Sequence, residues 1–485
     1  MKPIQLLLIL LTFQVNSQSY IMDSSFGING YKNYSAYSSG ALDNPESAPI
    51  AMFYSENKYL LVQAYQIARF NSDGSRDLTF GIGGKAVIAS PNHYFTIRSA
   101  KMGNDCIYVC GQVYNGGSWD KEGFVAKISL NGTFDDSFGS EGIAIFEISG
   151  LDVDNSDDLK DILIRENGDV YVTGKSVNTI IVFKLTPSGT TDLTYSPTGY
   201  RYFGTGIGKS LIDYQGDMLL ISTIGTTKID NSGNIDTNFG INGTLPLGGT
   251  STEKAIMLNN ILFYVRSVYV GSPGRGGYGY YTVEGYDINT FQSITPLIET
   301  NSYPGITIYD NMILLTDRNI ANSDNNNTFF RIRRFNLDGN LDLSFNNTGI
   351  FIYTIPVFYF SVIYATACYV HDDGKIFIAG YDQHRTMTTG SHGLGMIRLV
   401  PSTLGIVKSE IENRSVLYPN PASDKIYVDN FENIEKISVY DIMGKEFRRE
   451  IGNDGSITVN DLQSGAYIIK MQKNGIINSL KFVKK

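Results

Sequence analysis

Three cysteines, four histidines and one tryptophan are spread over 485 residues, and charged side chains make up only 18% of the chain. So few cysteines exclude a disulfide framework. Cys106 and Cys110 lie four apart in the run Cys106-Ile107-Tyr108-Val109-Cys110, which in an extended strand puts them on one face about 13 Å apart, beyond disulfide reach. They read as small core residues rather than as a redox pair or metal site. His371, His384 and His392 lack the spacing of a helical zinc site and have no cysteine partner. Basic residues are in deficit, 39 Lys and Arg against 48 Asp and Glu, leaving a net charge of -9. Phosphate contacts need a basic face, so this balance argues against DNA and RNA as partners. Beyond the first residues no stretch approaches the ~18 apolar residues of a membrane helix.

What is present points to strands. Fifty glycines, 32 tyrosines and 26 phenylalanines favour sheets and tight turns, and 42% hydrophobic residues are too many for a disordered chain. An all-β protein is predicted. At the start, Lys2, the apolar run Leu6 to Leu11 with Phe13, and Val15-Asn16-Ser17 before Gln18 form the three parts of a secretory signal peptide, residues 1–17.

The body of the chain repeats one grammar. Five segments read strand, polar-Gly turn, then Asp-x-x-aromatic: Ile67 to Gly81, Val125 to Gly139, Val182 to Tyr195, Thr227 to Gly240, and Ile332 to Phe345. A degenerate copy surrounds Val283 to Asp287 and lacks the Asp and Phe. Several short strands per unit is the pattern of a propeller blade. Met22 to Gly27 carries the second half of the grammar without the first, and Ile397 to Val400 the first half without the second. Joined, they would complete one blade and remove both open edges of a ring. The expected fold is a β-propeller of seven blades over residues 18–406, closed by N- and C-terminal strands, then a linker at 407–415 and a small β-sandwich at 416–485.

Recurrence within one chain argues for structural roles. The turn glycines, such as Gly74, supply positive φ. Asp77, Asp135, Asp192, Asp236 and Asp342 are placed to accept backbone N–H groups two or three residues on. Phe80, Phe138, Tyr195, Phe239 and Phe345 would fill the seams between blades. A ring of cation-binding carboxylates is the alternative for the same aspartates.

Other motif matches fail. Gly204 to Ser210 ends like a phosphate loop but has Phe203 where the leading Gly belongs and no βαβ context. Asp152 to Asp158 has calcium-loop oxygen density without the Gly and Glu of such a loop, and reads as a solvated acidic loop, with a weak structural calcium site as the alternative. No nucleophile elbow or cofactor motif occurs. The hairpins between the second and third strands of each unit vary widely in length, and rigid scaffolds carry function in such loops. They bring Tyr114, Trp119, Tyr269, Arg275, Tyr278, Tyr280, His384 and Arg385 to one surface as candidate ligand-binding residues suited to a glycan or peptide. The alternative is that these hairpins are tolerated insertions.

Two resemblances add to this reading. The strand, xDG turn and DxxFGxxG pattern over residues 20 to 405 resembles the delta-sixty repeat of bacterial secreted proteins, which implies a β-propeller and no particular chemistry. Tyr195-Ser196-Pro197 and Asn346, where Gly is usual, depart from it. Residues Tyr418 to Pro421, Val439-Tyr440-Asp441 with Gly444, Leu462 with Gly465 and Tyr467, and the basic end Lys481 to Lys485 resemble the type A C-terminal sorting domain of the type IX secretion system of Gram-negative bacteria. That resemblance implies the type IX translocon as a partner and release to the medium or attachment to the cell surface. The function expected is a non-enzymatic binding or adhesion scaffold for an extracellular glycan or protein. The alternative is a secreted carbohydrate-active enzyme on the same scaffold.

Overall fold

The computed structural model describes residues 19–36, 49–115, 121–148, 156–247, 252–271, 277–300, 303–320, 328–354, 361–385, 390–402, 417–428, 431, 434–441, 444–473 and 476–485. The signal peptide and the linker lie outside them. The chain divides into two compact units, Met1–Thr403 and Leu404–Lys485.

The described residues of the first unit form seven antiparallel sheets. Sheet 1 runs Ala51–Ser55, Lys58–Val62, Gln66–Asn71, Lys85–Val87. Sheet 2 is His93–Met102, Cys106–Asn115, Lys121–Ser129, Ile143–Phe146, and sheet 3 is Asp157–Ile164, Val170–Ser176, Thr179–Leu185, Arg201–Thr205. Sheet 4 (Gly208–Tyr214, Asp217–Ser222, Gly225–Ile229, Thr244–Leu245), sheet 5 (Thr252–Leu258, Ile261–Gly271, Gly277–Asp287, Ser293–Thr300) and sheet 6 (Gly305–Tyr309, Met312–Ile320, Thr328–Phe335, Ile350–Thr354) repeat the order. Sheet 7 takes Ser361–Val370, Ile376–Arg385 and Gly390–Ser402 from the end of the unit, and Ser19–Met22 with Tyr31–Ala36 from its start.

That last sheet closes the ring. Ser19–Met22 pairs with Leu399 to Ser402, and Tyr31–Ala36 with His392 to Ile397, along one edge of the same strand. Apolar clusters fill the spaces between consecutive sheets. Leu60, Phe80, Ile97 and Phe124 join sheets 1 and 2, and Phe26, Tyr59, Phe70 and Phe377 join sheet 7 back to sheet 1. The unit is a β-propeller.

The repeated residues build the seams. Gly74, Gly132, Gly189 and Gly233 all have positive φ, between 75 and 89°. They also have no room for a side chain. A Cβ on Gly74 would meet the Phe26 ring at 2.7 Å, and one on Gly132 would meet the Gly81 nitrogen at 2.5 Å. Each turn therefore sits on the Asp-x-x-aromatic segment of the preceding sheet, and Gly81 N–H donates to Asn131 C=O at 2.8 Å across that seam. Asn346, in the position Gly81 holds elsewhere, takes φ of 53°, a conformation Asn tolerates better than most residues. In sheet 5 the turn after Asp287 runs straight into the fourth strand. Phe291 stands there against Phe239 of sheet 4, ring centroids 6.1 Å apart.

The recurring aspartates do more than fix a turn. Asp77, Asp135, Asp192, Asp236 and Asp342 each accept the backbone N–H two residues on, at 2.9 to 3.1 Å. Each also pairs with a cation from the third strand of its sheet: Arg69, Lys127, Lys184, Lys228 and Arg334. Arg69 and Arg334 lie 4.9 Å over the Phe80 and Phe345 rings. The closing sheet assembles the same set from both chain ends, Arg398 with Asp23 at 2.7 Å and over Phe26 at 4.9 Å.

For Asp77, burial pushes the carboxyl up, but hydrogen bonds from Thr79 and Lys58 and the Arg69 charge hold it well below its ordinary value. Asp23 and Asp342 are lowered too, with the same opposition between burial and partners. A carboxylate lowered in the folded state contributes stability above its unfolded pKa and loses it as pH falls. The melting temperature should therefore drop as pH falls below about 4, which a pH series of thermal melts checks. Asp77→Ala, at a side chain only 4% exposed, should cost about 1 to 3 kcal/mol without a specific effect on ligand binding, measured by denaturant melts.

Two sequence expectations are corrected here. Of the Asp152 to Asp158 run, Asp152 to Asn155 lie outside the described residues, but Asp157 and Asp158 are not solvated loop: they are 1% and 6% exposed in the first strand of sheet 3, where Asp157 accepts Ile148 N–H. Where their residues are described, the long variable hairpins are strand ribbon and not loop. In sheets 2, 5, 6 and 7 the second and third strands extend into them, as in the unbroken pairing of Ile261–Gly271 with Gly277–Asp287.

The second unit is a two-sheet sandwich. Leu417–Tyr418, Lys425–Val428 and Ser456–Thr458 form one sheet; Glu446–Arg449, Ile434–Asp441, Gly465–Lys473 and Ile476–Lys484 form the other. Ile426, Val428 and Ile457 of the first pack with Val439, Ile469 and Phe482 of the second. Among the described residues no helix is long and apolar enough to cross a membrane.

Candidate functional site

The first strand of each sheet faces the ring axis, and five of these strands carry a register break at the same place. The breaks fall at Ile97/Ser99, Leu159/Asp161, Gly208/Ser210, Thr252/Lys254 and Ala365/Ala367. A bulge leaves one residue outside the ladder and re-aims its side chain. The extra residues are Arg98, Lys160, Lys209, Glu253 and Thr366, and all five line one axial cavity of about 370 Å³. Lys101, Asp161, Ser210, Lys254 and Tyr303 complete its polar wall.

Its charges are unequal. Asp158, behind the wall, pairs with Arg98 at 3.3 Å and with Lys160. Lys209 reaches Glu253 at 4.0 Å. Asp161 accepts Ser99 Oγ–H at 2.6 Å and Leu211 N–H at 3.0 Å, tying sheets 2, 3 and 4 together. Among the described residues no carboxylate forms an ion pair with Lys101 or Lys254. Burial, then the Lys101 charge, lowers the Lys254 amine, against a weaker pull from Asp161. Lys160 is lowered by burial, and Arg98 and Lys209 lower it further against its Asp158 partner.

The sequence-predicted residues lie elsewhere, at the hairpin ends of second and third strands. Tyr114 stacks on Tyr94 of the neighbouring strand, centroids 4.9 Å apart at 17°, and both rings are exposed, 39% and 57%. Tyr269 is exposed and opposite Gly279, next to the Val268–Tyr280 pair. Tyr278 opposes Val270, while His384 and Arg385 oppose Ser391 and Gly390. Trp119 and Arg275 lie outside the described residues. The placed residues belong to sheets 2, 5 and 7, no two of them adjacent, so the ring distributes them around one rim instead of gathering them. His371 bonds Tyr59 Oη through Nε2 at 2.6 Å and packs edge-on to Tyr54.

A closed ring of antiparallel sheets with a polar axial cavity, followed by a separate β-sandwich, defines a β-propeller protein with an appended module. Residues 416–485 match the secretion system C-terminal sorting domain. Residues 62–80 and 320–345 match a domain of unknown function (DUF5122) beta-propeller. The sorting domain marks the chain for the type IX system and export to the cell surface or extracellular space.

No curated protein matches the sequence. Among solved structures, the WD40 domain of Neurospora crassa Pan2 is similar with a TM-score of 0.43 and 8% identity, over 77% of this chain and 97% of that one. The extracellular domain of the putative hybrid two component system BT4673 from B. thetaiotaomicron gives 0.38 and 12%, over 97% and 59%. PorZ of Porphyromonas gingivalis, an essential surface component of its type-IX secretion system, gives 0.19 and 6%, over 94% and 100%. At these scores the likenesses carry no inference about this chain.

Proposed function

We propose that the exported protein is a non-enzymatic binding or adhesion scaffold that takes an extracellular glycan or protein on the rim formed by its second-to-third-strand ribbons. Residues 1–17 act as the leader, 18–406 as the binding module, 407–415 as a linker and 416–485 as the address. The observation that carries the reading is the Tyr94–Tyr114 stack, a pair of flat rings left exposed on the rim. Folding has every reason to bury such rings, and exposed aromatics present apolar area with a polar handle to a partner. On sheet 5 Tyr269 and Val270 are also exposed, 65% and 42%.

The test is a glycan array and a surface-protein binding screen on the secreted chain. Tyr94→Ala with Tyr114→Ala should weaken the best ligand by about 10-fold or more, as loss of an aromatic anchor does, at unchanged melting temperature. Sugar release that single Asp or Glu substitutions abolish would replace this reading with the carbohydrate-active enzyme.

A further inference from the structure

We propose that the axial cavity is a second binding site, for a small oxyanionic ligand carrying carboxylate, sulfate or phosphate groups. Three independent features converge on it. The five bulges place their extra residues on the same wall, and bulges recur where a strand must re-aim a side chain beside a functional site. The lining holds Arg98, Lys101, Lys160, Lys209 and Lys254 against Asp161 and Glu253, with Asp158 behind it paired to Arg98 and Lys160, still a cationic excess inside a chain whose net charge is -9. The few anions present are already engaged, Asp161 by Ser99 and Leu211 and Glu253 by Ser267.

Like charges crowded into one cavity are destabilising unless something offsets them. A scaffold that needed only a filled axis would place apolar side chains there. Among the described residues Lys101 and Lys254 form no ion pair with a carboxylate, and an entering oxyanion would accept hydrogen bonds from both amines. The volume of about 370 Å³ falls within the ~300 to 1,000 Å³ of small-ligand pockets, room for a single acidic sugar or a free inorganic anion.

The experiment uses the full-length mature chain at low ionic strength, with sodium sulfate, glucuronate and uncharged glucose as probes. Binding is followed by calorimetry, and lysine accessibility by acetylation and mass spectrometry. Sulfate or glucuronate should shield Lys101 and Lys254 from acetylation several-fold more than glucose does, and affinity should fall as salt is raised. Glucuronate binding much tighter than sulfate assigns the site to a sugar acid; equal binding assigns it to the free oxyanion. Lys101→Met with Lys254→Met should weaken binding by at least about 10-fold. Glu253→Gln removes an opposing charge and should strengthen it, a gain that misfolding cannot mimic. Tyr94→Ala with Tyr114→Ala should leave anion binding unchanged, so this site and the rim reading fail separately. No shielding by either anion, equal shielding by glucose, or unchanged affinity in the double lysine variant would overturn the proposal.

Discussion

A chain lacking residues 18–30 is expected to lose its cooperative thermal transition and to aggregate. The deletion removes the strand paired with Leu399 to Ser402 and takes Asp23 from Arg398. It also takes Phe26, fully buried between sheets 7 and 1, from under Gly74. A naked strand edge and a half-empty seam would be left at one position of the ring, and exposed edges recruit other chains. Differential scanning calorimetry with light scattering measures both effects. Asp23→Ala is the milder form: it strands Arg398, 8% exposed, without its carboxylate, at a cost of about 3 kcal/mol. A truncated chain that melts as sharply as the full one would mean that the ring does not depend on its terminal strands.

Removing residues 411–485 should have the opposite pattern, intact folding and failed delivery. The sandwich holds its own core around Val439, Ile469 and Phe482, and the seven-sheet unit completes its edges without it. Independent cores fold independently. In a host with the type IX system the truncated chain should accumulate in the periplasm with a near-normal melting temperature. Residues 411–485 fused to an exported reporter should carry it to the surface or medium. Surface delivery of the truncated chain would contradict the address role, and an unfolded one would contradict the separation of cores.

The seams were readable in the sequence because their chemistry is local and repeated. A Gly three residues before an Asp-x-x-Phe is visible in one line of text, and so is the split copy at Met22 to Gly27 and Ile397 to Val400. The cations opposite the aspartates were present in the same motifs, as in Ala68-Arg69-Phe70, but their role shows only when the third strand lies beside the turn. The axial cavity was illegible for a different reason. A bulge is a relation between two strands, and Leu159-Lys160-Asp161 read alone is a polar interruption of a strand. Its signal would have been the recurrence of Ile-Arg-Ser, Leu-Lys-Asp, Gly-Lys-Ser and Thr-Glu-Lys at one place in successive units. The rim residues were chosen by composition, which finds aromatics but does not say how far apart a ring will set them.

Closure by two chain ends also fixes an order of events. Asp23 and Arg398 are 375 positions apart, so the contact that seals sheet 7 cannot form until both ends of the first unit are free to meet. The amino-terminal segment emerges first and finds its partner strand last. Through that interval sheet 1 lacks the Phe26 ring that its turn rests on, and the segment 19–36 waits unpaired. Non-local pairing of this kind slows folding and prolongs the life of sticky intermediates. Until Ser19–Met22 and Tyr31–Ala36 pair with the last strand of sheet 7, that strand is an open sheet edge, the kind of surface that recruits other chains.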